Sequence, residues 1–148
     1  MNYGAMNANG EIFLFLDADT LLPQNTYKEI ICQLEKPGLI GGSFRLKLDK
    51  PHPILKFYSW CRRFSLEFFT YGDHSIFIKK NNFKEIEGYK KIPFMEDVEI
   101  QKRLRKKGKF KKLKASVLTS GRRFVKVGTI RQLITDLFLV LFHNLGFS

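Results

Sequence analysis

Nine consecutive residues, Ile12-Phe13-Leu14-Phe15-Leu16-Asp17-Ala18-Asp19-Thr20, join a continuous apolar run to a turn that carries two carboxylates. An apolar run of this length is typical of a strand that is buried on both faces. In α/β sheets, ligands bind outside the carboxyl ends of the strands. We therefore expect a buried strand over residues 12–16 and a first candidate site at the turn that follows it.

Helix-like and strand-like segments alternate after this stretch. The apolar spacing predicts a helix from about 24 to 35 that is closed by Pro37-Gly38. Its apolar stripe, on one face, is formed by Tyr27, Ile30, Ile31 and Leu34. A second strand is predicted over 39–48, with a bulge or close approach at Gly41-Gly42. The remaining predicted elements are a helix at 54–69, a strand at 75–78, a short helix capped by Asn81-Asn82, a helix at 98–107, a strand at 110–118 and an amphipathic helix at 129–148. This alternation predicts an α/β fold.

The composition suits one folded domain over residues 1–148. With 44% hydrophobic residues, a chain of this size can bury about 70% of the surface that its unfolded form exposes, which excludes global disorder. The net charge of +12 is uneven, because residues 1–49 hold four basic and six acidic side chains and residues 50–148 hold 22 and eight. The basic half predicts an anionic partner.

Two acidic motifs are candidates for chemistry. Asp17 and Asp19, one residue apart in a turn, can converge on Mg²⁺ or Mn²⁺ and leave coordination positions open for phosphates. An acidic surface turn is the alternative interpretation. Glu96-Asp97 follows Pro93-Phe94-Met95 at the start of a helix, where acids are also favoured simply by the helix dipole and by capping.

The basic half contains three features with more than one interpretation. Nine of the thirteen residues from Lys102 to Lys114 are basic, which predicts a solvated face, or else a surface for nucleic acid or anionic lipid. Arg122-Arg123 lies in a loop with Gly121, where two guanidinium groups can clamp a diphosphate. The helix at 129–148 is expected to pack on the core, or alternatively to lie in a bilayer interface.

The order of these motifs resembles the family 2 glycosyltransferases of the GT-A fold. The nearest subgroup is bacterial and carries N-x-G-A, A-x-G, D-x-D or H-A-D-T, L-P, Y-G-D-Q, P-x-M-E-D-V-E and T-S-x-R-R-W. The corresponding segments here are Asn2-Tyr3-Gly4-Ala5, Ala8-Asn9-Gly10, Asp17-Ala18-Asp19-Thr20, Leu22-Pro23, Tyr71-Gly72-Asp73-His74, Pro93-Phe94-Met95-Glu96-Asp97-Val98-Glu99 and Thr119-Ser120-Gly121-Arg122-Arg123-Phe124. His74 in place of Gln and Phe124 in place of Trp are departures from the pattern.

The resemblance implies a role for each matching residue. Asp19 and Asp17 would hold a nucleotide-sugar donor through Mg²⁺ or Mn²⁺, Asp97 would be the general base on an acceptor hydroxyl, and Glu96 would support it. Arg122 and Arg123 would assist the diphosphate, and Gly72-Asp73 would form an acceptor-side loop. One carboxylate acting as base, with no second one acting as nucleophile, predicts an inverting transfer.

The resemblance also implies a GT-A-like, Rossmann-like mixed sheet flanked by helices and truncated at its N-terminus. At roughly 30 residues per βαβ unit, about 60 to 90 residues that bind the nucleotide would be absent ahead of Met1. We therefore expect this polypeptide to bind nucleotide sugar weakly or not at all by itself. Apart from the resemblance, we expect a cytoplasmic location. The basic half together with the amphipathic helix at 129–148 predicts peripheral contact with the inner face of the membrane, near a lipid-linked acceptor.

Two other classes of function remain open at this point. A haloacid-dehalogenase-type phosphatase also places D-x-D after an apolar strand, but it needs Thr or Val where this chain has Leu21, and an acid shortly after Asp73. A non-enzymatic module that binds nucleic acid or a membrane surface would depend on residues 102–114. No sequence signature of a specific nucleic-acid-binding fold accompanies that run.

Overall fold

The predicted elements that lie in the described part of the chain occur in the predicted order, whereas a short helix at Asn2–Asn7 was not predicted. The computed structural model describes residues 1–49, 75–93 and 95–122, with nine further residues between 127 and 142. The predicted helix at 54–69, the Gly72-Asp73 loop and Arg123 lie outside the described residues. The described elements are α1 (Asn2–Asn7), β1 (Ile12–Phe15), β2 (Thr20–Leu21), α2 (Thr26–Leu34), β3 (Leu39–Leu48), β4 (Ile76–Lys79), α3 (Lys80–Glu85), α4 (Glu96–Lys107) and β5 (Lys109–Thr119).

The strands form a mixed sheet in the order β1-β4-β3-β5-β2. β4 is antiparallel to both of its neighbours, β1 and β3, whereas β3 and β5 are parallel. β1, β3 and β5 therefore point in the same direction, and their carboxyl ends reach one edge of the sheet. We call this the carboxyl edge. A mixed sheet flanked by helices confirms the predicted α/β class at that level.

Helices cover both faces of the sheet, and each face has its own apolar cluster. β4 alternates between the two clusters, because successive side chains of a strand point to opposite faces. Phe77 packs with α2, β3 and β5, and its neighbours Ile76 and Ile78 pack with α1, α3 and α4. The cluster on the α4 side contains Ala5, Phe13, Phe15, Ile76, Ile78, Phe83, Ile86, Tyr89, Ile100 and Leu104.

At Gly41-Gly42, β3 closely approaches its neighbouring strands β4 and β5, as predicted. A Cβ added at Gly41 would lie 2.6 Å from the carbonyl oxygen of Phe77, and one at Gly42 would collide with the carbonyl of Lys111 and with the Phe77 ring. The pairing of β3 with β5 shifts register on both sides of this pair, between Leu39 and Gly41 and between Ser43 and Arg45. Glycine is therefore required here by the space between strands.

Several details differ from the sequence-based expectations. The two-residue strand β2 was not predicted, because pairing with β5 defines it and no local pattern does. α3 begins at Lys80 and has no side-chain cap, so the predicted capping by Asn81-Asn82 is wrong. On α2, Ile30 and Leu34 are buried, but Tyr27 and Ile31 remain 62% and 46% exposed, so the buried stripe is narrower than the apolar stripe.

The amphipathic segment predicted at 129–148 is helical at every described position from 130 to 142. Leu139 packs against Met95 and Val98 at the start of α4. Four other described apolar residues of this segment are exposed: Ile130, Ile134, Phe138 and Phe142. Packing on the core therefore does not explain why these positions are apolar. None of the helices in the described part of the chain combines the length and the apolar character needed to cross a membrane.

Candidate active site

The Asp17–Thr20 turn lies at the carboxyl edge, directly after β1. The backbone N–H of Thr20 donates a hydrogen bond to the carbonyl of Asp17 at 3.1 Å, which closes the turn. Thr20 then begins β2 and pairs with Thr119 at the end of β5. The turn is therefore fixed on one side by β1 and on the other by β5.

Two threonine hydroxyls connect Asp19 to the end of β5. Oγ1 of Thr20 donates to Oγ1 of Thr119 at 2.8 Å, and Oγ1 of Thr119 donates to Oδ1 of Asp19 at 3.3 Å. The side chain of Asp19 is still 42% exposed. Its carboxylate is thus oriented by the protein and accessible to a ligand, as a carboxylate that shares a hard cation with phosphates must be.

The guanidinium of Arg122 faces the same carboxylate. Its Nη2 lies 3.7 Å from Oδ2 of Asp19, and its Nε donates to Oγ of Ser120 at 3.0 Å. The Arg122 side chain is 70% exposed, and an exposed ion pair of this kind contributes little stability. Arg122 can therefore exchange Asp19 for a more highly charged anion such as a diphosphate.

Asp49 holds the loop that carries Arg122, and the motif analysis missed it. Oδ1 of Asp49 accepts a hydrogen bond from the backbone N–H of Gly121 at 2.7 Å. The backbone N–H of Asp49 donates to the carbonyl of Thr119 at 3.1 Å. Asp49 comes directly after β3, so the rule that ligands gather at strand ends was the signal that could have identified it.

Glu96 and Asp97 form the first turn of α4. The dipole of α4 favours these acids, and it also favours the basic residues Arg105, Lys106 and Lys107 in the last turn. Capping alone does not explain Asp97. The residue before the helix, Met95, has a left-handed conformation with φ 63° and no side-chain cap, and Asp97 is only 4% exposed. A carboxylate that is buried this deeply is uncommon outside ion pairs and functional sites.

The hydroxyl of Tyr89 connects the two acidic motifs. Tyr89 is 4% exposed, and its hydroxyl has no hydrogen-bond partner among the described residues. Burial raises the pKa of the Tyr89 hydroxyl well above its ordinary value, and the negative charges of Asp97, Glu96 and Asp17 raise it further. The ring of Phe15, two residues before Asp17, packs edge-on against the Tyr89 ring with centroids 5.1 Å apart. The fold therefore brings the Asp17 turn and the Glu96-Asp97 pair close enough to Tyr89 for their charges to raise the pKa of its hydroxyl. No motif pointed to Tyr89.

Two sets of polar contacts hold Tyr89 in this position. Asn2 in α1 pairs with its backbone, accepting from the Tyr89 N–H at 2.9 Å and donating to the Tyr89 carbonyl at 2.7 Å. Arg103 in α4 donates to the carbonyls of Ile86 and Gly88, just before Tyr89. Arg103 thus has a structural role within the basic run Lys102–Lys114, for which the sequence had predicted only a solvated face or an anionic partner.

Glu99 completes this connection between α4 and the segment around Tyr89. Its carboxylate accepts hydrogen bonds from Arg103 at 2.6–2.9 Å and lies 3.2 Å from Nζ of Lys90. Burial by itself would raise the pKa of Glu99, but the hydrogen bonds and charges of Arg103 and Lys90 outweigh burial and lower that pKa below its usual range. Glu99 is therefore ionised and structural at neutral pH.

Gln101 is a second residue that the motifs did not identify. It is 1% exposed, and neither atom of its amide has a partner among the described residues. It lies four residues after Asp97 on α4, so the two side chains share a helix face. A buried amide without partners is costly, so Gln101 is an anomalous neutral side chain, one turn after Asp97 on α4.

A divalent cation fits these residues only in partnership with a bound anion. The described residues contain no group of three or more His, Cys, Asp and Glu side chains able to hold a metal. Mg²⁺ does not require such a cage, because it is commonly held by one or two carboxylates together with phosphate oxygens and water. Asp17 and Asp19, in one turn at a strand end, fit that simpler arrangement.

Two clefts lined by described residues lie away from these carboxylates. One of about 700 Å³, near the amino end of β1, is lined by Glu11, Glu35, Lys79 and Lys80 among others. Another of about 280 Å³ lies between α1 and α3 and is mostly apolar. Ligands gather at the carboxyl ends of the strands in α/β sheets, so sheet geometry favours the carboxyl edge over both clefts.

The structure describes five of the eight site residues predicted from the sequence. Asp17, Glu96 and Asp97 lie close enough to Tyr89 for their charges to raise the pKa of its hydroxyl, and Asp19 lies 3.7 Å from Arg122; Gly72, Asp73 and Arg123 lie outside the described residues. Comparisons with family models, with curated proteins and with solved structures give no match for this chain. The function of this carboxyl-edge site must therefore be inferred from its residues and their geometry.

Proposed function

We propose that this chain carries the catalytic carboxylates of a metal-dependent, inverting glycosyltransferase of the GT-A fold. One observation carries the proposal: the ring of Tyr89 packs against Phe15, two residues before Asp17, with ring centroids 5.1 Å apart, and Tyr89 shares a buried cluster with Ile100 of α4. This packing brings the Asp17 turn and the Glu96-Asp97 pair, which are far apart in the sequence, close enough for their charges to raise the pKa of the same Tyr89 hydroxyl. A sugar-transfer site needs one acid that binds the donor and another that activates the acceptor. The two acids must lie close enough for the bound donor and acceptor to react. The mixed sheet with helices on both faces is compatible with this fold.

The donor would bind at the Asp17–Thr20 turn and the Arg122 loop. Asp19, with Asp17 beside it, would hold Mg²⁺ or Mn²⁺, which when bound supplies positive charge to the departing diphosphate. Arg122 would leave Asp19 and contact the diphosphate instead. The hydrogen bonds from Asp49 and the two threonine hydroxyls support this role, because they orient the turn and the loop before any ligand arrives.

The acceptor would be activated by Asp97. Its carboxylate takes the proton of the acceptor hydroxyl while that oxygen attacks the anomeric carbon and the bond from this carbon to the diphosphate oxygen breaks. A single displacement of this kind inverts the configuration. Burial of Asp97 beside Glu96, at the start of α4, supports a base held in one orientation.

The donor side is tested with manganese and inorganic diphosphate, because the described residues would contact these groups directly. In ¹H–¹⁵N spectra of the chain, Mn²⁺ with diphosphate should broaden the amide resonances of residues 17–20 and 119–122 selectively. Asp19→Asn should abolish the broadening. Glu35→Gln, at an exposed acid beyond α2, is the matched control and should leave it unchanged. Broadening that survives Asp19→Asn, or that Glu35→Gln removes equally, would refute the donor site.

The acceptor side is tested by Asp97→Asn. This variant should keep the Mn²⁺–diphosphate broadening and lose sugar transfer, assayed with the chain alone or with a supplied N-terminal β-α portion. Transfer that survives the substitution would contradict the assignment of Asp97 as base. Release of phosphate from para-nitrophenyl phosphate, abolished by Asp17→Asn, would instead support the phosphatase alternative.

A further inference from the structure

The C-terminal helical segment exposes a row of large apolar side chains. Ile130, Ile134, Phe138 and Phe142 are 63%, 48%, 56% and 49% exposed. They are spaced four residues apart, and this spacing turns each one only about 40° from the last on an α-helix, so they share one side. We call Ile130, Ile134 and Phe138, with the neighbouring Arg131, the exposed helix face.

The segment is attached to the domain through a different side. Leu139 packs against Met95 and Val98, next to the start of α4, and it lies about 100° around the helix from Phe138. The exposed helix face therefore points away from that contact while the segment itself is seated on the domain. Large exposed apolar patches with polar surroundings mark surfaces that contact proteins or membranes.

Charge limits what this face can contact. From residue 101 to the C-terminus the sequence has thirteen basic residues and a single acid, Asp136. Arg131 is exposed, and it lies three residues before Ile134, a spacing that makes the two side chains neighbours on a helix surface. A guanidinium is therefore placed among the apolar side chains of this face, and a partner must accept apolar side chains and cations together.

We propose that the exposed helix face lies on the surface of an anionic lipid bilayer. Isoleucine and phenylalanine side chains would enter the acyl boundary, and Arg131 would extend its charge to the lipid phosphates, as long cationic side chains do at membrane interfaces. A second copy of the chain is a poorer occupant, because a two-fold contact would bring like charges together. This proposal does not depend on the proposed sugar transfer, so either proposal can be refuted without affecting the other.

Vesicle sedimentation of the full chain tests the proposal. The chain should bind vesicles of phosphatidylcholine containing about 30% phosphatidylserine much more strongly than vesicles of phosphatidylcholine alone, and salt should weaken the binding. Ile134→Glu should reduce the partition coefficient at least about tenfold. Ile31→Glu is the matched control, because Ile31 on α2 is similarly exposed at 46%, and it should bind like the original chain.

Four outcomes would overturn the proposal. The first two are no binding of the chain to anionic vesicles, and an Ile134→Glu variant that binds as strongly as the original chain. The third is an Ile31→Glu variant that loses as much binding as Ile134→Glu. The fourth is a dimer in sedimentation equilibrium that Ile134→Glu abolishes. A fifth outcome comes from a competition experiment. RNA that displaces the chain from vesicles by binding residues 102–114 would indicate that the partner is nucleic acid. Circular dichroism of each variant confirms that it is folded, and Arg131→Glu, a second surface change, should also weaken binding.

Discussion

The backbone N–H of Gly121 donates a hydrogen bond to the carboxylate of Asp49 at 2.7 Å, which joins the end of β3 to the loop after β5. These two residues are 72 positions apart in the sequence. The contact holds the loop that carries Arg122 at the same edge as Asp19, so it positions the Arg122 guanidinium relative to the Asp19 carboxylate.

Replacing Asp49 by Ala should loosen this loop. The loss of a charge-assisted hydrogen bond at an exposed position should reduce the free energy of unfolding by about 1 kcal/mol in urea titrations. Mn²⁺–diphosphate broadening at residues 119–122 should weaken as well. Asp49→Asn keeps an acceptor oxygen and should lose less in both measurements; equal losses would show that charge, and not hydrogen bonding, holds the loop.

Tyr89→Phe should change the pH dependence of stability and leave neutral stability nearly unaltered. The pKa of Tyr89 is raised in the folded state, so above its ordinary value of about 10 the unfolded chain loses this proton and the folded chain does not. Stability is therefore lost with rising pH, by up to about 1.4 kcal/mol per pH unit. Urea titrations between about pH 8 and about pH 11 should show this loss only when Tyr89 is present.

Tyr27→Phe is the control for this comparison, because Tyr27 is 62% exposed. It should retain the full loss of stability at high pH. The rest of the chain is the same in every variant, so the difference between the two substitutions isolates Tyr89. Parallel curves for all three proteins would disprove a buried, neutral phenol.

Glu99→Gln should destabilise the connection between α4 and Tyr89. The pKa of Glu99 is lowered in the folded state, so its contribution is present above its unfolded pKa of about 4.3 and is lost as pH falls through the lower, folded value. We expect a loss of about 1 to 2 kcal/mol at pH 7 that disappears in acid. Glu85→Gln, whose 3.4 Å pair with Lys107 is exposed, should cost less than about 0.5 kcal/mol.

Gly42→Ala should destabilise the sheet through steric collision. The added Cβ would meet the carbonyl of Lys111 and the ring of Phe77, and overpacking of this kind costs about 1 to 3 kcal/mol. Gly4→Ala is the contrasting substitution, because nothing lies within 4 Å of a Cβ there and alanine favours the helix α1. Thermal unfolding should show a lower midpoint for the first variant and an equal or higher one for the second.

Local sequence patterns predicted most of the sheet and about half of the site. The apolar run before Asp17 and the helix start at Glu96 identified the strand, the helix and both acidic motifs, because periodicity and end signals are local. Asp49 could have been identified from its place directly after a predicted strand, but Tyr89 and Gln101 could not be found in this way. These two matter through burial and through neighbours that are distant in sequence, and neither property is encoded within a short window.

The two-residue strand β2 has a consequence for how the site assembles during folding. Thr20 pairs with Thr119, which is 99 positions later in the sequence. Closing so long a loop costs chain entropy before the strand pairing gives any stabilisation, so this contact forms slowly. A nascent chain that ends before residue 119 therefore contains the complete Asp17–Asp19 sequence without its geometry. The carboxylates should acquire their fixed orientation among the last events of folding, after β5 has joined the sheet.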